Sequence, residues 1–267
     1  MNIERLRNII LFSAYKRWDI NKLVNDFYLI SGTDEDCNYK YVMMIARHVF
    51  KKRGYRLFEM PLNDDEIGAL SFVGDGLNYV VLNSSLPQVN ENFALAHEIY
   101  HIFYGEKKAS SKVEFSSDHY YEHEEESAAN LFAGTLLMPE LIFRRMFITV
   151  EFEKPKDLIE TIVHLMCIFN VPYMAVLIRC LELGLIPFAA VNEEVLSVDR
   201  DGIKKRMREL WLDYRIMDPS LIDDYPHIES DVEQLGKEYV EEEYINQRTL
   251  DKVLRNMKEL HKEIERK

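Results

Sequence analysis

The sequence predicts an α+β fold in which helices flank a small, mostly antiparallel sheet and a helical, acid-rich C-terminal extension follows. Three observations carry this. Apolar positions recur at helical spacing over the first fifty residues, residues 55–82 switch to short β-branched and aromatic runs, and helical spacing returns after Pro87. A chain of 267 residues with 47% apolar and 30% charged side chains is long enough for a sizeable core in one or two domains, which excludes the disordered and fibrous classes.

Ile3, Leu6, Ile9 and Ile10 mark one amphipathic helix and Leu23, Val24 and Phe27 another. Tyr41, Met44, Ile45, His48 and Val49 mark a third, which stops near Gly54. Residues 55–60, 69–73 and 77–82 read as strands, with Gly74-Asp75-Gly76 a hairpin signal because these residues tolerate positive φ. Pro87 and Asn90 open a helix that runs to Tyr104, with Gly105 at the C-cap position. After a polar stretch, 106–119, the next helix begins in Glu122-His123-Glu124-Glu125-Glu126, where acids suit the positive end of the helix dipole, and ends at Met138-Pro139. Residues 159–169 and 173–183 read as two helices joined across Asn170-Val171-Pro172.

Residues 218–243 hold ten acids against one base, Lys237, whereas 248–267 hold seven bases against four acids. The last helix runs from a Thr249 cap through Leu250, Val253, Leu254, Met257, Leu260 and Ile264. Its apolar stripe requires cover, either from its own chain or from a partner helix in a self-associated form.

Lys+Arg 33 against Asp+Glu 46 gives a net charge of −13, which repels phosphate backbones and anionic headgroups, so neither nucleic acid nor membrane is expected as a partner. The 159–184 pair has helix-turn-helix proportions, but its second helix offers only Arg179 to a base edge or phosphate. The apolar stretch 161–191 is interrupted by His164, Asn170, Arg179 and Glu182, short of a membrane span. Three cysteines without a C-x-x-C spacing, and an N-terminus lacking a secretory apolar region, point to a reduced, cytoplasmic protein.

The chemistry lies in His97-Glu98-Ile99-Tyr100-His101, an H-E-x-x-H inside an amphipathic helix. Histidines at i and i+4 project from one face and can share a metal ion, and Glu98 then lies beside the metal, where a carboxylate takes a proton from zinc-bound water. Chance places this pentapeptide in a chain of this composition on the order of a few hundredths of the time. A catalytic zinc needs a third protein ligand and an open position. Glu124, Glu125 and Glu126 qualify chemically, and Glu126 shares a face with Ala129, Asn130 and Ala133, whose small side chains allow close helix packing. Glu125 is the second choice, and His123 would make a three-histidine site. Asn130, one turn after Glu126, is placed to orient a ligating histidine. Tyr100, His119, Tyr120, Tyr121 and His123 are possible donors to an oxyanion.

FALAHEIYHIFYG followed by EEESAANLFAGTLLMP resembles the ImmA/IrrE-type metallo-endopeptidases, with E-x-x-x-N-x-F-A at Glu126, Asn130, Phe132 and Ala133 leading into Leu136-Leu137-Met138-Pro139. The resemblance covers roughly 38–187 and includes the hairpin ending in Val81-Leu82-Asn83. It implies a gluzincin-like zincin metallopeptidase domain, spanning 1–188, in which His97, His101 and Glu126 bind Zn2+ and Glu98 activates water. It also implies a protein substrate, a helix-turn-helix repressor or antitoxin cut to release silenced genes. Residues 189–267 form a region of unassigned role, and no N-terminal helix-turn-helix is recognisable. The competing reading is a non-catalytic zinc-containing regulator that sequesters a partner, against which Glu98 argues, since a purely structural site has no use for a base beside the metal.

Overall fold

The computed structural model describes residues 1–74, 77–105, 113–115, 124–153 and 157–265. The N-terminal thirty residues form one helix, α1 (Ile3–Ser31), rather than the two read from the spacing. No glycine or proline interrupts them, so the two apolar sets lie on one continuous helix. The Asn2 side chain accepts from the Arg5 N–H at 2.8 Å at its start, and Gly32, at φ 68°, ends it. Leu6, Ile20, Val24 and Phe27 are buried, with Phe27 edge-on to Phe103 and Phe132. α2 (Glu35–Lys52), broken in its helical geometry at Tyr41, leads into β1 (Tyr55–Met60).

β2 (Ala69–Gly74) and β3 (Leu77–Asn83) pair antiparallel down to Gly74 opposite Leu77, so they flank the expected hairpin, whose Asp75 and Gly76 lie outside the described residues. β1 lies parallel to β3, and β4 (Val113–Phe115) pairs antiparallel with β2, giving the order β1-β3-β2-β4. The sheet is therefore mixed. The chain leaves β1, skips one position to lay down β2, and folds β3 back into the gap in the direction of β1. Asn83 holds this crossover in place. Its buried amide donates to the carbonyls of Asp64 and Ile67 at 2.7 and 2.8 Å, and its Oδ1 accepts from the Leu62 N–H at 3.0 Å.

Alternation then assigns the two sheet faces. Leu57, Ala69, Val80 and Leu82 enter the main core with α3 (Gln88–Tyr104), while Met60 and Val81 face the other way, into a second cluster with Leu62 and Tyr225. α4 (Glu124–Leu137) packs on both α3 and α1. α5 (Glu140–Glu153), which apolar periodicity did not reveal, follows, and then α6 (Leu158–Phe169) and α7 (Tyr173–Glu182). α6 and α7 bend by 105° at their junction, and among the described residues no single helix is long and apolar enough to cross a membrane. Arg179, the one base that a helix-turn-helix would offer to DNA, is 2% exposed, donates to the Met138 carbonyl at 3.0 Å and pairs with Glu182. It caps the end of α4 instead.

The C-terminal region continues through α8 (Glu193–Ser197), α9 (Arg200–Glu209), α10 (Tyr225–Glu241) and α11 (Gln247–Ile264). It covers the second face of the sheet with Tyr225, Ile228 and Met257. Residues 218–224 are strapped across the strand ends: the Leu221 N–H donates to the Ser84 carbonyl at 3.0 Å, the Ser84 hydroxyl to the Ile222 carbonyl at 2.6 Å, and the Asp224 N–H to the Glu59 carbonyl at 2.8 Å. α11 thus finds cover for part of its stripe within its own chain, through Leu250 against α10 and Met257 on the second cluster. Gly236 makes this approach possible, since a Cβ there would sit 2.2 Å from Leu250 Cδ1.

Two expectations follow from this packing. Phe27→Ala removes a ring enclosed by α3 and α4 and is expected to destabilise the whole domain by about 3–5 kcal/mol in denaturant unfolding; an unmoved midpoint would show α1 to be an appendage. Glu91, in the first turn of α3, is buried and accepts from the Ser220 hydroxyl at 2.9 Å. Burial pushes its pKa up to about 7, against the lowering effect of the Ser220 hydrogen bonds. A folded-state pKa above the usual 4.5 means that stability falls as pH rises through the interval between them. Glu91→Gln is expected to raise the melting temperature at pH 8 and to change it little at pH 4, as read by thermal scans.

Candidate metal centre

α3 is apolar on almost every side, with Leu95, Ala96, His97, Glu98 and Ile99 all buried, because the sheet, α4 and α2 enclose it. Ala129 and Ala133 of α4 are fully buried, and their small side chains let the two helices approach closely. The approach brings Glu126 opposite the two histidines. His97 Nε2 stands 3.0 Å from His101 Nε2 and 3.1 Å from Glu126 Oε2, and His101 Nε2 stands 3.4 Å from Glu126 Oε1. Among the described residues, this is the group of His, Cys, Asp and Glu side chains whose ligand atoms converge closely enough to hold a metal ion.

The geometry fits such an ion. Donors bound at about 2.0–2.1 Å in a tetrahedron stand roughly 3.4 Å from one another, close to the separations here, and two imidazoles with one carboxylate leave a fourth position open. The opposite ring nitrogens are directed outward. Asn130 Oδ1 lies 3.0 Å from His97 Nδ1, and Glu125 Oε1 lies 3.6 Å from His101 Nδ1. Asn130 is therefore placed to fix the His97 ring with Nε2 facing inward. Glu125, the second-choice ligand, faces the wrong nitrogen of His101 to join Glu126. His123, His119, Tyr120 and Tyr121 lie outside the described residues, and Tyr100 packs in an aromatic group with Tyr104 and Phe132.

The electrostatics favour a cation. Burial alone would lower the His101 pKa, but the Glu126 hydrogen bond and the charges of Glu98, Glu126 and Glu125 raise it to about 9. Burial would raise that of Glu126, but hydrogen bonds from His101 and His97 hold it well below the usual carboxylate range. Glu98 is 3% exposed, and burial raises its pKa despite the two nearby histidines. The Ser71 hydroxyl of β2 hydrogen-bonds this carboxylate, while Oε2 has no partner among the described residues. Ser71 escaped the sequence reading. The signal was a hydroxyl at an inward position of the strand, between Ala69 and Val73.

A buried H-E-x-x-H helix whose glutamate lies between the sheet and two converging histidines, with a third donor, the Glu126 carboxylate, brought in from the next helix, defines a metallopeptidase-type domain. Residues 50–181, about half of the chain, match the IrrE N-terminal-like domain of the M78 peptidases, and the chain belongs through this domain to the ImmA/IrrE family. No curated protein matches the chain. If Asn130 orients His97, Asn130→Ala is expected to weaken metal affinity about 10- to 100-fold, measured by competition with a chromophoric chelator, without unfolding the chain.

Proposed function

We propose that the chain is a zinc-dependent endopeptidase that cuts a helix-turn-helix repressor or antitoxin. The observation that carries the catalytic part is Glu98, a buried carboxylate anchored by Ser71 and left with one unpartnered oxygen, next to three donors that converge on one point. His97, His101 and Glu126 would hold the ion, and two nitrogens with one carboxylate oxygen are a donor set suited to Zn2+. Bound there, zinc supplies Lewis acidity towards a peptide carbonyl and acidifies water to near neutrality.

The chain's own residues do the rest. Glu98 accepts the proton of the attacking water at Oε2 and returns it to the departing amine. The sheet supplies positioning. β4 pairs with β2 so that Glu114 lies opposite Ser71, the anchor of Glu98, and among the described residues no strand pairs with the outer side of β4. An extended segment adding to that edge would run alongside β4, held by backbone hydrogen bonds that demand little sequence. Charge supports the substrate class, since a net charge of −13 complements a basic DNA-binding protein.

Elemental analysis of chain purified without added zinc is expected to find one zinc in both the wild type and Glu98→Gln. Incubated with a helix-turn-helix repressor or antitoxin that the wild type cleaves, the variant is expected to cleave at least ~100-fold more slowly. Equal cleavage by the two would remove Glu98 from the chemistry. A full regulatory effect from the uncleaving variant would identify a sequestering regulator instead.

A further inference from the structure

A cleft of about 610 Å³ runs between α1, α3, α4 and α7, within the size range of ligand and peptide sites. It follows one face of α3, through Phe93, Ala94 and His97, and the facing side of α4, through Asn130 and Gly134. His97 and Asn130 therefore belong both to the cleft and to the metal centre. The far wall is not built by the family domain. It comes from Val198, Ile203 and Met217 of the C-terminal region.

We infer that this cleft grips an apolar stretch of the polypeptide substrate beside the bond to be cut, and that residues 195–217 are the specificity-determining wall. The inference rests on the peptidase reading above. Three features select this occupant. The walls are largely apolar, with Phe93, Leu131, Ile178 and Met174 adding to the C-terminal residues. The bases in the lining are already engaged, Arg179 by the Met138 carbonyl and Glu182, Arg200 by the Met217 carbonyl at 2.8 Å, so neither is spare for an anionic ligand. The cleft shares His97 and Asn130 with the candidate metal centre, so its occupant lies next to the groups that would act on a peptide. Burial of that stretch supplies affinity that the backbone pairing at β4 lacks, and its position next to His97 couples the choice of side chain to the chemistry.

Methionine methyl resonances read the cleft without turnover, because Met166, Met174 and Met217 line it while Met44 and Met257 lie elsewhere. The full-length Glu98→Gln chain, labelled at methionine methyls, is titrated with a capped hexapeptide carrying two central leucines and with its serine counterpart. Shifts at Met166, Met174 and Met217 with the leucine peptide only, weakened at least tenfold in Val198→Trp and in Leu196→Trp, are the expected result. The unchanged Met257 resonance in each variant checks that the fold persists. Absence of those shifts in the parent chain, equal response to the serine peptide, or undiminished affinity in both tryptophan variants would overturn the inference. Cleavage by wild-type chain of proteome-derived peptides separates the two readings: cutting without cleft shifts sinks the cleft alone, and cleft shifts without any cutting sink the peptidase.

Discussion

The close approach of α3 and α4 is the constraint on which the rest of this structure depends. Neither helix carries a complete metal site. His97 and His101 share a face of α3 by helical periodicity alone, but the third donor has to come from a separate helix at a separation that only alanines permit, and Ala129 and Ala133 provide it. The same contact sets Asn130 against the outer nitrogen of His97, so the third donor and the partner of His97 arrive together from successive turns of α4. Surrounding groups keep the two helices from separating. Phe132 packs with Tyr100, Tyr104 and Phe27, and Arg179 ties down the end of α4 through the Met138 carbonyl.

Burial and charge act in opposite directions around this contact, and their balance is chemically useful. Enclosure by the sheet raises the cost of ionising Glu98, while the neighbouring carboxylates draw positive charge to the histidines. Without a metal ion, the same pairing of a protonated His101 with an ionised Glu126 holds α3 and α4 together, so the carboxylates around the histidines favour positive charge at the point where the three donors converge.

The C-terminal region is more than an acidic tail. Its strap closes the strand ends, its last two helices cover the second face of the sheet, and Val198, Ile203 and Met217 line the cleft that reaches His97. The negative charge of 218–243 therefore belongs to the fold, with Tyr225 and Ile228 turned inward, Asp218 paired with Lys204, Asp231 paired with Arg56 and Asp224 accepting from the Glu59 N–H.

How far the sequence reached can be judged residue by residue. Periodicity and spacing alone placed the H-E-x-x-H helix, the hairpin around Gly74 and the acidic start of α4, because helix faces, turn residues and dipole charges are local properties. They also ranked Glu126 ahead of Glu125 and His123 as the third donor, since the alanines that follow it mark the packing face. They did not place Ser71 under Glu98, turn Arg179 into the core, order the strands β1-β3-β2-β4 or bring Met217 towards His97. Those relations join residues far apart in sequence, and they depend on which of several sterically allowed packings buries the most apolar surface while satisfying every buried polar group. Local chemistry was written in the chain, and the choice of neighbours was decided only when the whole core closed.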